Sequence, residues 1–407
     1  MTTEAAPAAD GEQRPGAAAG IPPGMHRFTQ MERVIHGRPV ADALAGELEL
    51  LGARRVFLVT NRSLADGDAV AHIVAALGDR LAGRFDGVRA HAPRDCIVEG
   101  AAAIRSAGAD LLLAVGGGSV IDAAKVMSLC VRHGYGRIEQ LDPHANRRAP
   151  DTGHAPADAA HWLRVLAVPT TLSGAEFASS GGATDPRSRM KEAFVEPMLM
   201  PVSVILDPAM TFATPLPLML ATGIKAIDHA VERVTSANAN PYSDAVSLLA
   251  LRLLAQALPA IRLRPDDPGP RNDAQYGMFM SLAGSASGVA VNVSHAIGHV
   301  LGAHAAVPHG ETSCVLCPAV LRWHADVAAD RHRLLCDALD VPGHDAAGAL
   351  SSLIASLGLP QRLRDVGVQR DQFDDIARKT MHEALLRNSR KPVRSEADVL
   401  EILEIAW

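Results

Sequence analysis

Short apolar segments alternate with amphipathic helical segments from about residue 33 to residue 207, and this alternation limits the folds open to the chain. The compact runs RRVFLVT (54–60), LLLAV (111–115) and RVLAVPT (164–170) predict buried strands. The segments between them repeat apolar residues at helical spacing. Strands that alternate with helices form βαβ units, so the sequence predicts a parallel sheet with helices on both faces.

The pattern changes after VILDP (204–208). The later segments LMLATGIKAIDHAVERV, SDAVSLLALRLLAQALPAI and AQYGMFMSLAGSAS are helical in period, with no clear strand between them. We therefore predict an α/β nucleotide-binding domain at 27–208 and an all-helical domain at 209–407. RLRPDDPGPRND (262–273) predicts a loop within the second domain. Residues 1–26, rich in Ala, Pro and Gly, predict a disordered tail.

Net charge, hydropathy and cysteine usage bear on the partners and the location of the protein. A net charge of -6 gives no reason to expect a nucleic acid or an acidic membrane surface. The sequence has no run of eighteen uncharged apolar residues, so we expect no membrane span. Five widely spread cysteines predict reduced thiols in a cytoplasmic protein. Cys314 and Cys317 form a CxxC pair, but CVLCPAVL is typical of a buried helix rather than a metal or redox site.

A buried strand runs into three glycines in LLLAVGGGSVIDAAK (111–125). Glycines permit a tight turn and the close approach of a diphosphate, and the N–H groups of the helix that follows would face the anion. The polar residues that open this helix favour a ligand site over a turn that needs glycine only for its geometry. The residues of this predicted site are Gly116, Gly117, Gly118, Ser119, Asp122 and Lys125.

A second polar segment, VPTTLSGAEF (168–177), directly follows a predicted strand. Hydroxyl groups at Thr170, Thr171 and Ser173 suit hydrogen bonds to a ribose or a phosphate. A polar loop with a helix-capping residue explains them equally well. The segment alone leaves both interpretations open.

Two helical segments carry candidate catalytic side chains. In TGIKAIDHAVE (222–232), Lys225 and His229 are i,i+4 neighbours on one helix face, and Asp228 belongs to another face. In VSHAIGHVLGAHAAVPHG (293–310), His295 and His299 share a face, and His309 can return to the same cleft. A lone helical histidine is usually structural, but two such helices at a common cleft favour a functional site.

In this order, GGGSVIDAAK, PTTLSGAE, ILDP, TGIKAIDHAVE and SHAIGHVLGAHAAVPHG resemble the iron-containing alcohol dehydrogenase family, and most of all its maleylacetate reductase-like branch. The resemblance spans roughly residues 30 to 407. It implies a Rossmann-like α/β domain and an all-α catalytic domain, the dehydroquinate synthase-like fold. It also implies NADH or NADPH in the cleft between them and a homodimer.

The resemblance gives roles to the glycine turn and the hydroxyl segment. Gly116 to Ser119 would hold the pyrophosphate, Asp122 would lie near the nicotinamide, and Thr170, Thr171 and Ser173 would line the cofactor. Asn61 follows the first predicted strand, where an acidic residue would disfavour the 2′-phosphate of NADPH. With Arg62 beside it, the sequence leaves NADH and NADPH both open.

The resemblance also bears on a metal. In metal-dependent members an Asp and three His bind a divalent ion; the histidines correspond to His229, His295 and His309, and His299 corresponds to a histidine beside the reacting carbon. The Asp corresponds to Lys225. A charged ammonium has no lone pair to donate and repels a divalent cation. Maleylacetate reductases likewise lack the Asp, so we expect a route without iron or zinc.

The leading hypothesis is an NAD(P)H-dependent reductase of a small carbonyl or maleylacetate-like substrate that uses no metal. Lys225 and His229 would stabilise the developing oxyanion, and His299 or His295 would donate the proton. The resemblance favours His299. The first alternative is an iron- or zinc-dependent alcohol dehydrogenase. Further alternatives are an NAD-using lyase of the dehydroquinate synthase type and a protein that binds the cofactor without turnover.

Overall fold

The structure, a computed structural model, describes residues 25–146, 159–305, 307–341, 343 and 345–407. Residues 1–24 of the predicted tail lie outside the described residues. The described strands are β1 (Arg33–His36), β2 (Val56–Val59), β3 (Leu81–Phe85), β4 (Leu111–Gly116), β5 (Arg164–Pro169), β6 (Ser180–Thr184), β7 (Lys191–Val195) and β8 (Ser203–Leu206). The described α-helices are α1 (Val40–Leu50), α2 (Arg62–Ala65), α3 (Asp68–Leu77), α4 (Arg94–Ala107), α5 (Gly118–His133), α6 (Leu216–Val234), α7 (Pro241–Leu263), α8 (Pro268–Ala283), α9 (Val293–His304), α10 (His309–Trp323), α11 (Ala329–Leu339), α12 (Ala346–Ser356), α13 (Phe373–Thr380) and α14 (Glu396–Ile405).

Six of the strands form one parallel sheet in the order β1-β8-β5-β4-β2-β3. From β2 the chain moves to β3 on one side and then to β4 on the other, so the strand order reverses between β2 and β4. In open parallel sheets, ligands bind beyond the carboxyl ends of the strands at such a reversal. The glycine turn that follows β4 lies at this point. The predicted parallel sheet is confirmed.

Side chains alternate between the two faces of the sheet because successive strand residues point in opposite directions. Phe57 and Val59 of β2 pack in the core that includes α4 and α5, whereas Val56 and Leu58 pack in the core that includes α1 and α3. Both faces are therefore covered by helices, as a parallel sheet requires.

The sequence did not predict the antiparallel hairpin of β6 and β7. Its first strand, SGGAT, has two glycines and none of the apolar alternation by which a strand is recognised. The glycines are needed for contact: a Cβ at Gly181 would lie 3.0 Å from the Asp122 carbonyl oxygen of α5. The hairpin thus packs closely on the first turns of α5, beside the glycine turn.

The described residues after β8 form α-helices and 3₁₀-helices. The predicted loop at 262–273 is too long, because α8 begins at Pro268, with the Asp267 side chain accepting a hydrogen bond from the Gly269 N–H. Cys314 and Cys317 are buried in α10, which confirms the predicted buried helix.

Helix α7 is long and apolar enough to cross a membrane, the one such helix among the described residues. It packs against α6 and α8 and contributes Leu251, Leu254 and Leu258 to the core of the helical part. A core helix of this kind passes the same length and composition test, so α7 is weak support for a membrane span.

Hydrogen bonds join the hydroxyl segment after β5 to the helical part. The Leu172 N–H donates to Thr222 Oγ1 of α6 over 3.2 Å. The Thr214 hydroxyl, just before α6, donates to the Thr170 carbonyl over 2.7 Å. These bonds fix the start of α6, which carries Lys225, beside the carboxyl ends of the strands.

Candidate active site

Helices α6, α9 and α10 form a common cleft. Gly310, in the first turn of α10, lies against Ala221 of α6, where an added Cβ would stand only 2.8 Å from the Ala221 carbonyl carbon. A side chain at position 310 would push the two helices apart. The close approach places His309, the first residue of α10, next to α6.

A small cavity that opens to solvent lies between these helices. Its lining consists of Lys225, His295, Gly298, His299, His309, Thr312 and Ser313. The cavity therefore brings together predicted residues of the two candidate segments, which the structure divides among three helices. His229 lies behind the lining, where its ring stacks on that of His295 with 4.6 Å between ring centroids.

Lys225 is the cation of this cavity. Burial, and after it the positive charge of Lys191, lower the pKa of its ammonium to about 8. Asp122, Asp228 and Glu176 act in the opposite direction. Lys225 makes no hydrogen bond or ion pair with any described residue, so its N–H groups are available to a group that enters the cavity.

The histidines around Lys225 are neutral near pH 7. Burial lowers the pKa of His295 to about 3 and holds the pKa values of His229 and His309 well below their usual range. The charge of Lys225 contributes to all three shifts. The cavity thus combines one cation with the uncharged imidazoles of His295 and His309.

Glu232, which the sequence analysis missed, fixes His295. Its Oε2 lies 2.7 Å from Nδ1 of His295, and its two oxygens also accept the backbone N–H groups of Asn292 and Ser294 at the start of α9. A carboxylate at a helix N-terminus is stabilised by the helix dipole. Glu232 lies seven residues after Lys225, on the same stripe of α6, and that spacing is the signal that could have identified it.

Asp228 approaches the same imidazole from further away. Its Oδ2 lies 3.5 Å from Nδ1 of His295 and accepts a hydrogen bond from the Ser294 hydroxyl over 2.8 Å. Burial raises the pKa of Asp228 to about 6 and that of Glu232 to about 7. Asp228 lies off the face of Lys225 and His229, as predicted, but still reaches His295.

His299 is the most accessible histidine of the cavity, with 43% of its side chain exposed. Its Nδ1 lies 3.4 Å from Glu383, and its ring faces that of His309 with 5.7 Å between centroids. His299 can therefore exchange protons with solvent while it lines the cavity. His304 points elsewhere and contacts Lys379 and Asp375.

The glycine turn and the hydroxyl segment pack directly on each other. A Cβ at Gly118 would lie 2.9 Å from the Ser173 hydroxyl oxygen, and one at Gly117 would lie 3.1 Å from Thr171. The buried hydroxyl oxygens of Thr171 and Ser173 have no partner among the described residues. Unpaired buried hydroxyls beside the N-terminus of α5 fit a ligand that supplies hydrogen bonds and negative charge.

The other predicted cofactor residues differ in what they contact. Asp122 pairs with Lys191 of the hairpin, 3.5 Å away. The Ser119 hydroxyl accepts the His91 N–H over 3.0 Å. Thr170 is buried, and its carbonyl accepts a hydrogen bond from Thr214.

Lys125 does not face the predicted ligand. Its side chain is fully buried, and its ammonium donates to the carbonyls of Ala175, Ala178 and Ser180. The three donors of a lysine are then all used. The prediction that Lys125 binds the cofactor is therefore wrong. Lys125 instead holds the segment that carries Ser173 in place.

Asn61 lies just before α2, beyond the carboxyl end of β2, and its side chain accepts a hydrogen bond from the Ser63 hydroxyl over 3.1 Å. It therefore lies on the other side of the strand reversal from the glycine turn. The position suits a cofactor that extends across the reversal.

Glu176 is a second residue that the sequence analysis missed, although it ends the quoted motif PTTLSGAE. It is fully buried, and neither carboxylate oxygen has a partner among the described residues. Burial raises its pKa to about 7, while Lys125 and Lys225 act in the opposite direction. Glu176 thus lies within electrostatic reach of Lys225.

The residues of the cavity do not fit a divalent ion. His229 Nδ1 and His295 Nε2 are buried without partners among the described residues, as free ligands would be. However, Lys225 occupies the position at which the resemblance implies an Asp ligand in metal-dependent members of the family. The only described group of three possible ligands within 4.8 Å is Asp228, Glu232 and His295, not the three predicted histidines. The oxygens of Glu232 already accept two backbone N–H groups, and Oε2 also lies 2.7 Å from Nδ1 of His295, so that group serves hydrogen bonding.

Comparison with protein families gives two matches. Residues 31–208 match the family described as iron-containing alcohol dehydrogenase, and residues 219–407 match the C-terminal part of the Fe-containing alcohol dehydrogenase family. The chain is 31% identical to maleylacetate reductase 1 of Cupriavidus pinatubonensis, across 91% of this chain and 93% of that protein.

Solved structures give the same fold. The crystal structure of maleylacetate reductase from Agrobacterium tumefaciens has a TM-score of 0.79 and 26% identity, over 95% of this chain and 99% of that one. Sulfoacetaldehyde reductase from Bifidobacterium kashiwanohense, solved in complex with NAD+, has a TM-score of 0.81 and 20% identity, over 93% and 98% of the chains. At that identity the second likeness concerns the fold alone.

Proposed function

The chain belongs to the iron-containing alcohol dehydrogenase family, and we propose that it reduces a small carbonyl or maleylacetate-like substrate with NADH or NADPH and without a catalytic metal. The observation that carries this proposal is the Lys225 ammonium, which has no partner among the described residues of the cavity. Oxyanion stabilisation needs a fixed donor where negative charge develops, and the half-buried ammonium of Lys225 supplies one.

The residues at the strand reversal fit a nicotinamide cofactor. The glycine turn and the N-terminus of α5 would hold the pyrophosphate, and the unpaired hydroxyls of Thr171 and Ser173 would bind alongside. When bound, the cofactor supplies the hydride.

The residues of the helical cavity act on the substrate oxygen and on the proton. Lys225 donates an N–H to the oxygen, whose negative charge grows as the carbonyl, or an alkene conjugated to it, is reduced. His299 donates the proton that completes the alcohol or the saturated product, because it lines the cavity and also reaches solvent. His229 lies behind His295, so we assign it to the support of that ring rather than to the oxyanion.

A screen of NADH and NADPH oxidation over aldehydes, 2-oxo acids and maleylacetate tests this function. We expect stoichiometric consumption of the reduced cofactor with at least one of these substrates. Turnover with no net consumption of NAD(P)H would favour the lyase alternative. Cofactor binding without turnover of any substrate would favour a protein that only binds the cofactor, and either outcome would overturn the proposed reductase.

An iron- or zinc-dependent alcohol dehydrogenase is the second candidate, and the unpaired nitrogens of His229 and His295 are the observation that favours it. Lys225→Asp separates the two candidates. A metal-free enzyme should lose activity with this change, because the oxyanion donor is removed. A metal enzyme should gain affinity for the metal and retain or gain activity when iron or zinc is added.

We propose a small-molecule carbonyl substrate as the ligand of the cavity, a homodimer as the assembly and the cytoplasm as the location. Gel filtration with light scattering would measure the assembly directly.

A further inference from the structure

Glu232 is a fixed acceptor of hydrogen bonds in the core of the helical part. It is buried, and each of its carboxylate oxygens accepts a backbone N–H, from Ser294 over 2.5 Å and from Asn292 over 2.8 Å. Backbone N–H groups can only donate. The Asn292 side chain also donates to the Glu232 carbonyl over 2.8 Å, which holds the start of α9 in place.

The orientation of the His295 ring follows from this arrangement. Nδ1 of His295 lies 2.7 Å from Glu232 Oε2, so Glu232, when it is ionised above its pKa of about 7, accepts a hydrogen bond from Nδ1–H. In a neutral imidazole, one nitrogen donates and the other accepts. Nε2, which is buried and has no partner among the described residues, is then left with a lone pair.

We infer that Glu232 is a positioning residue that holds His295 as its Nδ1–H tautomer, and that His295 is therefore a hydrogen-bond acceptor in the cavity and not the proton donor. The inference rests on the proposed function, since His295 and Lys225 line the same cavity. It decides between the two candidate donors: His299 donates the proton, and His295 can only receive a hydrogen bond from a group that enters.

Asp228 is the competing carboxylate for the same nitrogen. Its Oδ2 is 3.5 Å from Nδ1, beyond a good hydrogen bond, and it already accepts from the Ser294 hydroxyl. It lies one helical turn from Glu232 on α6 and is equally buried. Asp228→Asn is therefore a matched control that removes a nearby buried charge without removing the acceptor of the Nδ1 proton.

The test is nitrogen NMR of the full-length protein labelled with 15N-histidine, with His295 assigned from its absence in His295→Asn. The wild type should show His295 protonated at Nδ1 and not at Nε2, with and without bound NADH. An Nε2–H tautomer or a doubly protonated ring would overturn the inference. The tautomer is read without turnover, so failure of the proposed function in the substrate screen would be a separate result.

Two variants of Glu232 show whether this residue sets the tautomer. In Glu232→Gln the amide oxygen can keep the bonds to the Asn292 N–H and to Nδ1, so the tautomer and kcat should change little. In Glu232→Leu the acceptor is lost, so the Nε2–H form should rise and kcat should fall about tenfold or more. Retention of Nδ1–H in Glu232→Leu, or its loss only in Asp228→Asn, would overturn the inference; if Glu232→Leu does not fold, the wild type and Glu232→Gln still decide.

Discussion

Two lysines of this protein, the fully buried Lys125 and the half-buried Lys225, have similar pKa values and opposite surroundings. Burial lowers the pKa of both Lys125, in the α/β part, and Lys225, in the helical part, to about 8. Lys125 donates to three backbone carbonyls, whereas Lys225 has no hydrogen-bond partner among the described residues. A lowered pKa therefore does not by itself distinguish a structural lysine from one that takes part in the reaction. The presence or absence of hydrogen-bond partners does.

Removal of the Lys225 charge should have the largest effect on activity. We expect Lys225→Met to lower kcat for the reduction by about 10²–10³-fold, as loss of an oxyanion donor does. The Kd for NADH should stay within a few-fold of the wild type, because the cofactor residues lie on other elements. An unchanged kcat would show that Lys225 is as structural as Lys125.

The same substitution should stabilise the fold. Because the pKa of Lys225 in the fold, about 8, is below its ordinary 10.5, the unfolded chain binds more protons between these values. The half-buried ammonium thus costs stability at neutral pH, and the cost disappears as pH rises through this range. Lys225→Met should raise the free energy of unfolding by about 3 kcal/mol at pH 7, measured by urea titration.

Lys125→Met should have the opposite effect on stability. It leaves three buried carbonyls without a donor, so the free energy of unfolding should fall by about 2 kcal/mol or more. Loss of kcat should be smaller than in Lys225→Met, since no donor to the substrate is removed. Urea titrations of both variants under one set of conditions would compare the two changes in the free energy of unfolding. A change in the same direction in both variants would contradict the contrast between the two lysines.

Ionisation of Lys225 should appear in the pH dependence of the reaction. As pH rises through about 8, Lys225 loses its proton, so kcat for the reduction should fall. In Lys225→Arg the cation persists, and this fall should disappear even if the larger side chain lowers the overall rate. A fall near pH 8 that persists in Lys225→Arg would assign it to another group.

Removal of the Lys191 charge should have the smallest effect on kcat of the changes considered. Its charge is the second cause, after burial, that lowers the pKa of Lys225. Lys191→Met should therefore move the fall in kcat to higher pH by a fraction of a unit. Lys379→Met, which removes an exposed lysine from α13, is the matched control and should leave the profile in place.

The sequence predicted the features that depend on local pattern. Apolar runs identified β2, β4 and β5, and the motif order identified the histidines of the cavity. It did not predict the hairpin of β6 and β7, because two glycines replace the apolar alternation of its first strand. It also could not assign Lys125, since its carbonyl partners lie some fifty residues later and come close only in the fold.

Glu232 and Glu176 show the same limit within the site. Glu232 shares the helical stripe of Lys225, but its partners are backbone N–H groups of α9, which no side-chain pattern reveals. Glu176 is an acidic residue in a polar loop by sequence, a setting that normally indicates exposure. Only the packing of the loop against α5 and α8 makes it fully buried.

The most direct test of the central claim, that the Lys225 ammonium takes the place of a metal, is metal analysis of active protein before and after chelation. We predict iron and zinc far below one equivalent, and NAD(P)H-dependent reduction that survives the chelator undiminished. One equivalent of tightly bound iron or zinc, lost in step with activity and restored with it, would contradict the account.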